Sequence, residues 1–173
     1  SSAPDEEIRA IVAYLRSVGT AGSGSTSAGN AANGERIFGA SCESCHLVNG
    51  RGGRLGPDLS RIATSQPREA IARAIRDAST SFASGYQPVI VVTRDGQRIR
   101  GTRKGEDPFS IQIMDTRERL QGYLKADVRE VARDAQSLMP SFGPDRLSDA
   151  DLDDLLGFLA TLRPEVAPAR GLP

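Results

Sequence analysis

Two cysteines and a histidine lie within five residues, Cys42-Glu43-Ser44-Cys45-His46, and the chain holds no other cysteine or histidine. Thiols three positions apart share one side of a helical turn, where each can add to a vinyl group of a porphyrin. The adjacent imidazole then reaches the iron as an axial ligand. This CxxCH pattern predicts one covalently attached haem c per chain, held by Cys42, Cys45 and His46.

Two other chemistries could use the same residues. A structural zinc site would need a fourth ligand, usually from a second paired cluster, and the sequence contains no second cluster. A thioredoxin-like pair would place its first cysteine at the start of a helix after a buried strand. Here residues 33–40 instead predict a helix with Ile37 and Phe38 on one side. A plain disulfide remains a third use, and haem attachment is the favoured interpretation.

The second axial ligand has few candidates. With a single histidine, a bis-histidine haem within one chain is excluded. Of the two methionines, Met114 lies in an alternating strand pattern, where packing is the ordinary role. Met139 precedes Pro140, which biases its predecessor towards extended backbone, so that a loop could present the thioether to iron. The sequence favours Met139 and leaves Met114, or an open or exchangeable site, as alternatives.

Composition limits the partners. A chain of 173 residues can bury one core, or one core with a small satellite. With 22 basic and 22 acidic residues, the zero net charge gives no reason to expect nucleic acid or an anionic membrane. No run of 18 apolar residues predicts a transmembrane helix. Because the chain begins at Ser1 without methionine or a signal peptide, we expect a piece of a longer precursor.

The elements around the motif follow from periodicity and turn residues. Apolar residues at helical spacing predict a helix within residues 1–18, and the Gly/Ser-rich residues 19–32 predict a flexible linker. Residues 68–79 and 149–162 predict two further helices, the latter capped by Ser148. Residues 86–134 predict three to five antiparallel strands, with Asp95-Gly96 as a hairpin turn. Residues 164–173 read as a C-terminal tail.

These motifs together resemble a class I cytochrome c: a helix, Cys42–His46, the loop Gly53–Leu59, Leu138-Met139-Pro140 and a closing helix. The resemblance covers residues 33–163. The segment from Gly85 to Gly101, followed by Ser137-Leu138-Met139-Pro140, is most similar to the haem-binding domain at the C-terminus of large proteins in Planctomycetes, Verrucomicrobia and Acidobacteria. That domain carries a β-rich insertion before its methionine ligand. The resemblance implies a mainly α cytochrome c fold with an inserted small antiparallel sheet (α+β).

The resemblance also implies roles for other residues. The Pro57 carbonyl would accept the proton on Nδ1 of His46, and Gly53 and Gly56 would let the loop run close to the porphyrin. Leu59 would line the pocket. Haem propionates need donors, and Arg54, Arg51 and Arg61 are nearby in sequence, with a solvated surface arginine as the alternative for each. The helices at 33–41 and 149–162 would cross, with Gly34, Ile37 and Phe38 against Phe158 and Leu159. The apolar positions of residues 1–18 match those of 149–162 at a constant offset. Either two amphipathic helices resemble each other by coincidence, or residues 1–18 are the closing helix of a preceding domain of the same type.

The function that follows is one-electron transfer with His46 and Met139 as axial ligands. The resemblance implies a positive reduction potential, redox partner proteins and a place in a larger redox polypeptide, with no catalytic residues in this chain. Covalent haem attachment in bacteria takes place outside the cytoplasm, so we expect a periplasmic or extracytoplasmic location. A haem-based sensor with a displaceable methionine is the alternative. A peroxidase-like enzyme lacks a distal acid–base pair here.

Overall fold

The protein is described by a computed structural model, which covers residues 29–163 together with Ile8, Arg9, Ile11 and Val12. These four residues are helical and exposed. The rest of the predicted helix within 1–18, the linker up to residue 28 and the tail at 164–173 lie outside the described residues. Four helices follow in chain order: α1 (Ala31–Ser41), α2 (Ile62–Ser65), α3 (Arg68–Arg76) and α4 (Asp149–Thr161). Within the described chain, no helix is long and apolar enough to cross a membrane.

Helix α1 begins earlier than the sequence predicted. The side chain of Asn30 accepts a hydrogen bond from the backbone N–H of Asn33, which caps the helix and places its first residue at Ala31. The backbone N–H of Asn30 in turn donates to the carboxylate of Asp154 at 2.6 Å. Residues 29–32 therefore belong to the folded domain, which corrects the predicted linker boundary at residue 32. The first residue of α1 is determined by a polar cap and by a long-range contact, and neither can be predicted from composition.

Helices α1 and α4 cross where the sequence predicted. A Cβ on Gly34 would come within 2.1 Å of the Asp154 carbonyl oxygen, so only glycine allows the two backbones to approach this closely. The rings of Phe38 and Phe158 stand 5.5 Å apart at a tilt of 46°. The shared core of this half contains buried apolar residues from three helices and from the residues on either side of α4: Ile37, Phe38, Ile71, Ile75, Leu147, Leu152, Leu155, Leu156, Leu159 and Leu162.

The aspartates of α4 form contacts with other parts of the same chain. Ser148 caps the helix by accepting from the backbone N–H of Asp151, as predicted. Asp149 pairs with Arg76 at 2.6 Å, and Asp153 pairs with Arg68 at 2.9 Å. The acidic run therefore ties α4 to the two ends of α3.

Between α1 and α2, a short hairpin is formed by β1 (Leu47–Val48) and β2 (Arg51–Gly52). Between α3 and α4 lies an antiparallel sheet of five strands, β3 (Pro88–Thr93), β4 (Arg98–Glu106), β5 (Ser110–Asp115), β6 (Leu120–Leu124) and β7 (Val128–Arg133). Their order is β6-β5-β4-β3-β7, so the last strand returns to pair with the first. Asp95-Gly96 forms the predicted turn, with Gly96 at a φ of 88°.

The sheet has its own core. Val89, Val91, Ile111 and Ile113 are buried together on one face and do not merge with the helical cluster. Strands and helices occupy similar lengths of the described chain. The description of the fold as mainly α is therefore not confirmed, whereas a helical domain with an inserted antiparallel sheet describes it well.

Candidate functional site

The CxxCH stretch continues the end of α1 as a tight turn. The backbone N–H groups of Cys45 and His46 both donate to the Cys42 carbonyl oxygen, at 3.0 and 2.9 Å. This turn places the two cysteines and the histidine beside one another. Cys42 and Cys45 are half-buried, and His46 is 7% exposed.

The loop after the turn folds back against it. Gly56 donates its backbone N–H to the Cys45 carbonyl oxygen at 2.7 Å, and Leu59 donates to that of Leu47 at 2.8 Å. A Cβ on Gly56 would lie 2.5 Å from Cε1 of His46, so the imidazole packs directly on the glycine backbone. Any side chain at residue 56 would displace the ring. The close approach of this loop to the porphyrin, which the resemblance implied, stays a prediction.

His46 is held in a defined orientation. Its Nδ1 lies 2.9 Å from the Pro57 carbonyl oxygen, and because a carbonyl can only accept, Nδ1 carries the proton. Burial lowers the pKa of His46, while the hydrogen bond to Pro57 acts in the opposite direction. A neutral imidazole with a protonated Nδ1 keeps its lone pair on Nε2. This is the form that binds a metal.

The thiols are not arranged as a redox pair. Burial, with a smaller contribution from Cys45, raises the pKa of the Cys42 thiol to about 11. Redox-active CxxC pairs need the opposite shift, because the thiolate is the reactive form. Among the residues described, no group of three or more His, Cys, Asp and Glu side chains is arranged to hold a metal ion. The zinc and thioredoxin-like alternatives therefore gain no support.

A cavity of about 570 Å³ opens beside the CxxCH turn. Its size falls within the range of about 300–1,000 Å³ typical of small-molecule and cofactor sites. Cys42, Cys45 and His46 lie on its lining, and so does Met139. The rest of the lining is mostly apolar and includes Leu55, Leu59, Ile62, Ile71, Ala74, Ile75, Phe82, Leu138, Leu155 and Leu159.

The two methionines lie in different parts of the structure. Met139 lines the cavity, whereas Met114 pairs with Thr102 and Leu120 within the sheet and is not on the cavity lining. The backbone N–H of Met139 donates to the Ser137 hydroxyl at 3.1 Å. Leu138 and Met139 lie in a bend instead of the extended run that the sequence predicted before Pro140. Only Met139 therefore shares a cavity with His46.

Arg54 takes a different place from the one expected. It is exposed and absent from the cavity lining, and its backbone N–H donates to the Glu118 carboxylate at 2.7 Å. Glu118 lies in the turn between β5 and β6, so this contact joins the inserted sheet to the loop around the cavity. Arg51 and Arg61 are also absent from the lining.

The sheet itself contributes to the cavity wall. Thr102 of β4 and Tyr86, which precedes β3, both line the cavity. Thr102 is 2% exposed, and its hydroxyl oxygen has no hydrogen-bond partner among the described residues. A buried hydroxyl without a partner is costly, so one on a cofactor cavity is suited to a polar group of that cofactor. Sequence reasoning missed this residue because its position depends on how the sheet docks.

These residues suit a porphyrin. Two thiols lie at one edge of a mostly apolar cavity, and a neutral imidazole and a thioether share its lining. Residues 31–89 match the family model described as Cytochrome c. A domain of this family carries a covalently bound c-type haem, and the match therefore implies that cofactor.

A domain of this family supports haem-based electron transfer and implies redox partners. The matched residues include Cys42, His46 and Pro57 and end within β3, so Met139 and α4 fall outside them. No curated protein is similar enough to the chain to count as a match.

Proposed function

We propose that this protein exchanges single electrons through a covalent haem c ligated by His46 and Met139. The observation that carries the proposal is that these two side chains line one cavity together with Cys42 and Cys45, while Met114 does not. Cys42, Cys45, His46 and Met139 would hold the haem, which would supply one-electron chemistry. The chain itself binds the porphyrin edge through two thiols, orients the imidazole through Pro57 and excludes water with an apolar lining.

The charge of the axial groups supports a carrier over an enzyme. Both are neutral side chains, and a thioether favours ferrous iron more than a second imidazole does, which corresponds to a positive potential. Among the residues that line the cavity, no second imidazole accompanies His46 to act as a distal acid or base. We infer that this chain has no catalytic residues of its own, whatever activity a longer polypeptide carries.

Electrons would enter and leave at the edge that holds the thioethers. Cys42 and Cys45 are half-buried, and so this edge lies near the surface. We propose that a redox protein docks there and that the chain serves as the cytochrome domain of a larger redox protein, of the type with a β-rich insertion named above. The requirement for haem attachment outside the cytoplasm supports a periplasmic or extracytoplasmic location.

The visible spectrum of the oxidised holoprotein tests this proposal. Methionine ligation gives a weak far-red band, which Met139→Ala should abolish while lowering the reduction potential and allowing the reduced protein to bind CO. Met114→Ala is the matched control and should leave the band, the potential and CO binding unchanged. A band that survives in Met139→Ala removes Met139 as the ligand. Rapid stoichiometric CO binding by the unaltered reduced protein would favour a sensor with a displaceable methionine.

A further inference from the structure

Arg100 extends from the inserted sheet to the segment that carries Met139. It lies on β4, and its Nη2 donates to the carbonyl oxygens of Gln136 and Ser137, at 2.7 and 3.2 Å. Its Nε donates to the carboxylate of Asp134 at 2.5 Å. One guanidinium therefore binds three successive points on the connection between β7 and Met139.

Ser137 is the centre of this arrangement. Its carbonyl accepts from Arg100, its backbone N–H donates to the Ser79 hydroxyl at 3.0 Å, and its own hydroxyl accepts from the backbone N–H of Met139 at 3.1 Å. Ser79 follows α3, so Ser137 is held from the sheet on one side and from the helical half on the other. Met139 lies two residues beyond Ser137 and is hydrogen-bonded to it through its backbone N–H.

The positive charge of Arg100 strengthens its hydrogen bonds to Asp134 and to the two carbonyl groups. The Asp134 side chain is only 14% exposed, so the pair is partly shielded from solvent and salt. Hydrogen bonds from the backbone N–H of Gln136 and from Arg100 lower the pKa of Asp134 despite its burial, so the carboxylate stays charged at neutral pH. A planar guanidinium can bind a carboxylate and two carbonyls at once, which an ammonium cannot do with the same geometry.

We propose that Arg100 is a positioning residue through which the inserted sheet holds Met139 on the iron and sets how readily another ligand replaces it. The inference rests on the proposed ligation by His46 and Met139. The inserted sheet would then stabilise the position of the segment that carries Met139. Loss of the Arg100 contacts should increase the population in which Met139 has left the iron, and an added ligand binds in proportion to that population.

Imidazole binding to the oxidised holoprotein measures that population directly. Arg100→Gln removes the positive charge and the forked set of guanidinium N–H donors. We expect imidazole to bind about tenfold more tightly, because hydrogen bonds to charged groups commonly contribute that factor or more. Arg98→Gln is the matched control. Arg98 lies two residues earlier on the same strand and face and is exposed, and within the described chain it donates no side-chain hydrogen bond to residues 134–139. It should leave imidazole affinity unchanged.

Equal imidazole affinity in Arg100→Gln and Arg98→Gln overturns the positioning role. If Arg100→Gln does not yield folded protein, Arg100→Lys keeps the charge without the fork and is judged by the same comparison with Arg98→Lys. A far-red band that persists in Met139→Ala refutes the ligand assignment, whereas a band lost in Met139→Ala with equal affinities in the arginine variants refutes only the role of Arg100.

Discussion

Gly56 packs its backbone so tightly on the imidazole of His46 that a Cβ at position 56 would meet Cε1 at 2.5 Å. The next residue, Pro57, supplies the carbonyl that fixes Nδ1. Steric contact and hydrogen bond therefore come from neighbouring residues of one loop. Together they determine which way the ring faces the cavity.

Gly56→Ala should tilt the imidazole or push the loop away from it. We expect a lower yield of haem-containing protein and, in the material that forms, a shifted reduction potential, because the ring is the axial ligand and its orientation tunes its basicity. Gly122→Ala is the control, since a Cβ there meets nothing within 4 Å. Redox titration of both variants measures the effect, and an unchanged potential and haem content in Gly56→Ala would show that the loop adapts freely.

Gly34→Ala should weaken the crossing of α1 and α4. A Cβ at residue 34 would approach the Asp154 carbonyl oxygen to 2.1 Å, so one helix must move. Overpacking of this kind costs about 1–3 kcal/mol of unfolding free energy. Gly39→Ala, in the same helix, meets only the Glu43 carboxylate at 3.8 Å and should be neutral or stabilising. Denaturant unfolding distinguishes the two, and equal midpoints would contradict the close contact.

Thr102→Val removes a hydroxyl that has no partner among the described residues. We expect the bound haem to supply the acceptor, so the holoprotein should lose about 1 kcal/mol of unfolding free energy. Thr116→Val is the control, because Thr116 is exposed in a turn of the same sheet. Denaturant unfolding of the holoprotein is the measurement. A valine variant as stable as the parent would mean that no haem group uses this hydroxyl, because removing an unpaired buried hydroxyl is not destabilising.

Asp115 should make the sheet sensitive to acid. It is 3% exposed and accepts hydrogen bonds from the backbone N–H groups of Arg117 and Arg119 and from the Arg119 side chain, each at 2.9 Å. Burial by itself raises the pKa of Asp115, but these hydrogen bonds and the Arg119 charge lower it from 3.8 to about 2. Because the folded-state pKa is the lower one, the stabilisation is complete above about pH 4 and is lost as the pH falls towards about 2.

Denaturant unfolding followed by circular dichroism between about pH 5 and pH 2 measures that loss. Asp115→Asn should be less stable at pH 5 and should show a weaker dependence on pH in this range. Asp145→Asn, which removes an exposed carboxylate outside the sheet, should retain the dependence of the parent. If Asp115→Asn and the parent lose stability in parallel, other carboxylates are responsible.

Several features could be predicted from the sequence because their causes are local. Cys42, Cys45 and His46 form one turn, and so their spacing alone places them side by side. Ser148 caps α4 through a residue three positions away, and Asp95-Gly96 forms a hairpin through its own backbone preference. The hydrogen bond between His46 and the Pro57 carbonyl followed from a family resemblance carried by the same short loop.

Other features depend on residues far apart in the chain. The start of α1 at Ala31 is supported by Asp154, and the backbone N–H of Arg54 donates to Glu118, while Arg54 is absent from the cavity lining. The residues near Arg54 in sequence do not predict a contact with Glu118, which lies in a turn 64 residues away. Burial and pairing at such distances arise only when the elements dock.

The sequence by itself determined the covalent chemistry of this protein: two thiols and an imidazole within one turn. Their residue types and short spacing are sufficient for that, because these three residues are neighbours in the chain. Only the tertiary structure decided that Met139 and not Met114 shares the cavity with His46, and that Thr102 and Arg100 bring the inserted sheet into the site. These relations join parts of the chain separated by dozens of residues, and they exist only once the sheet and the helices pack together.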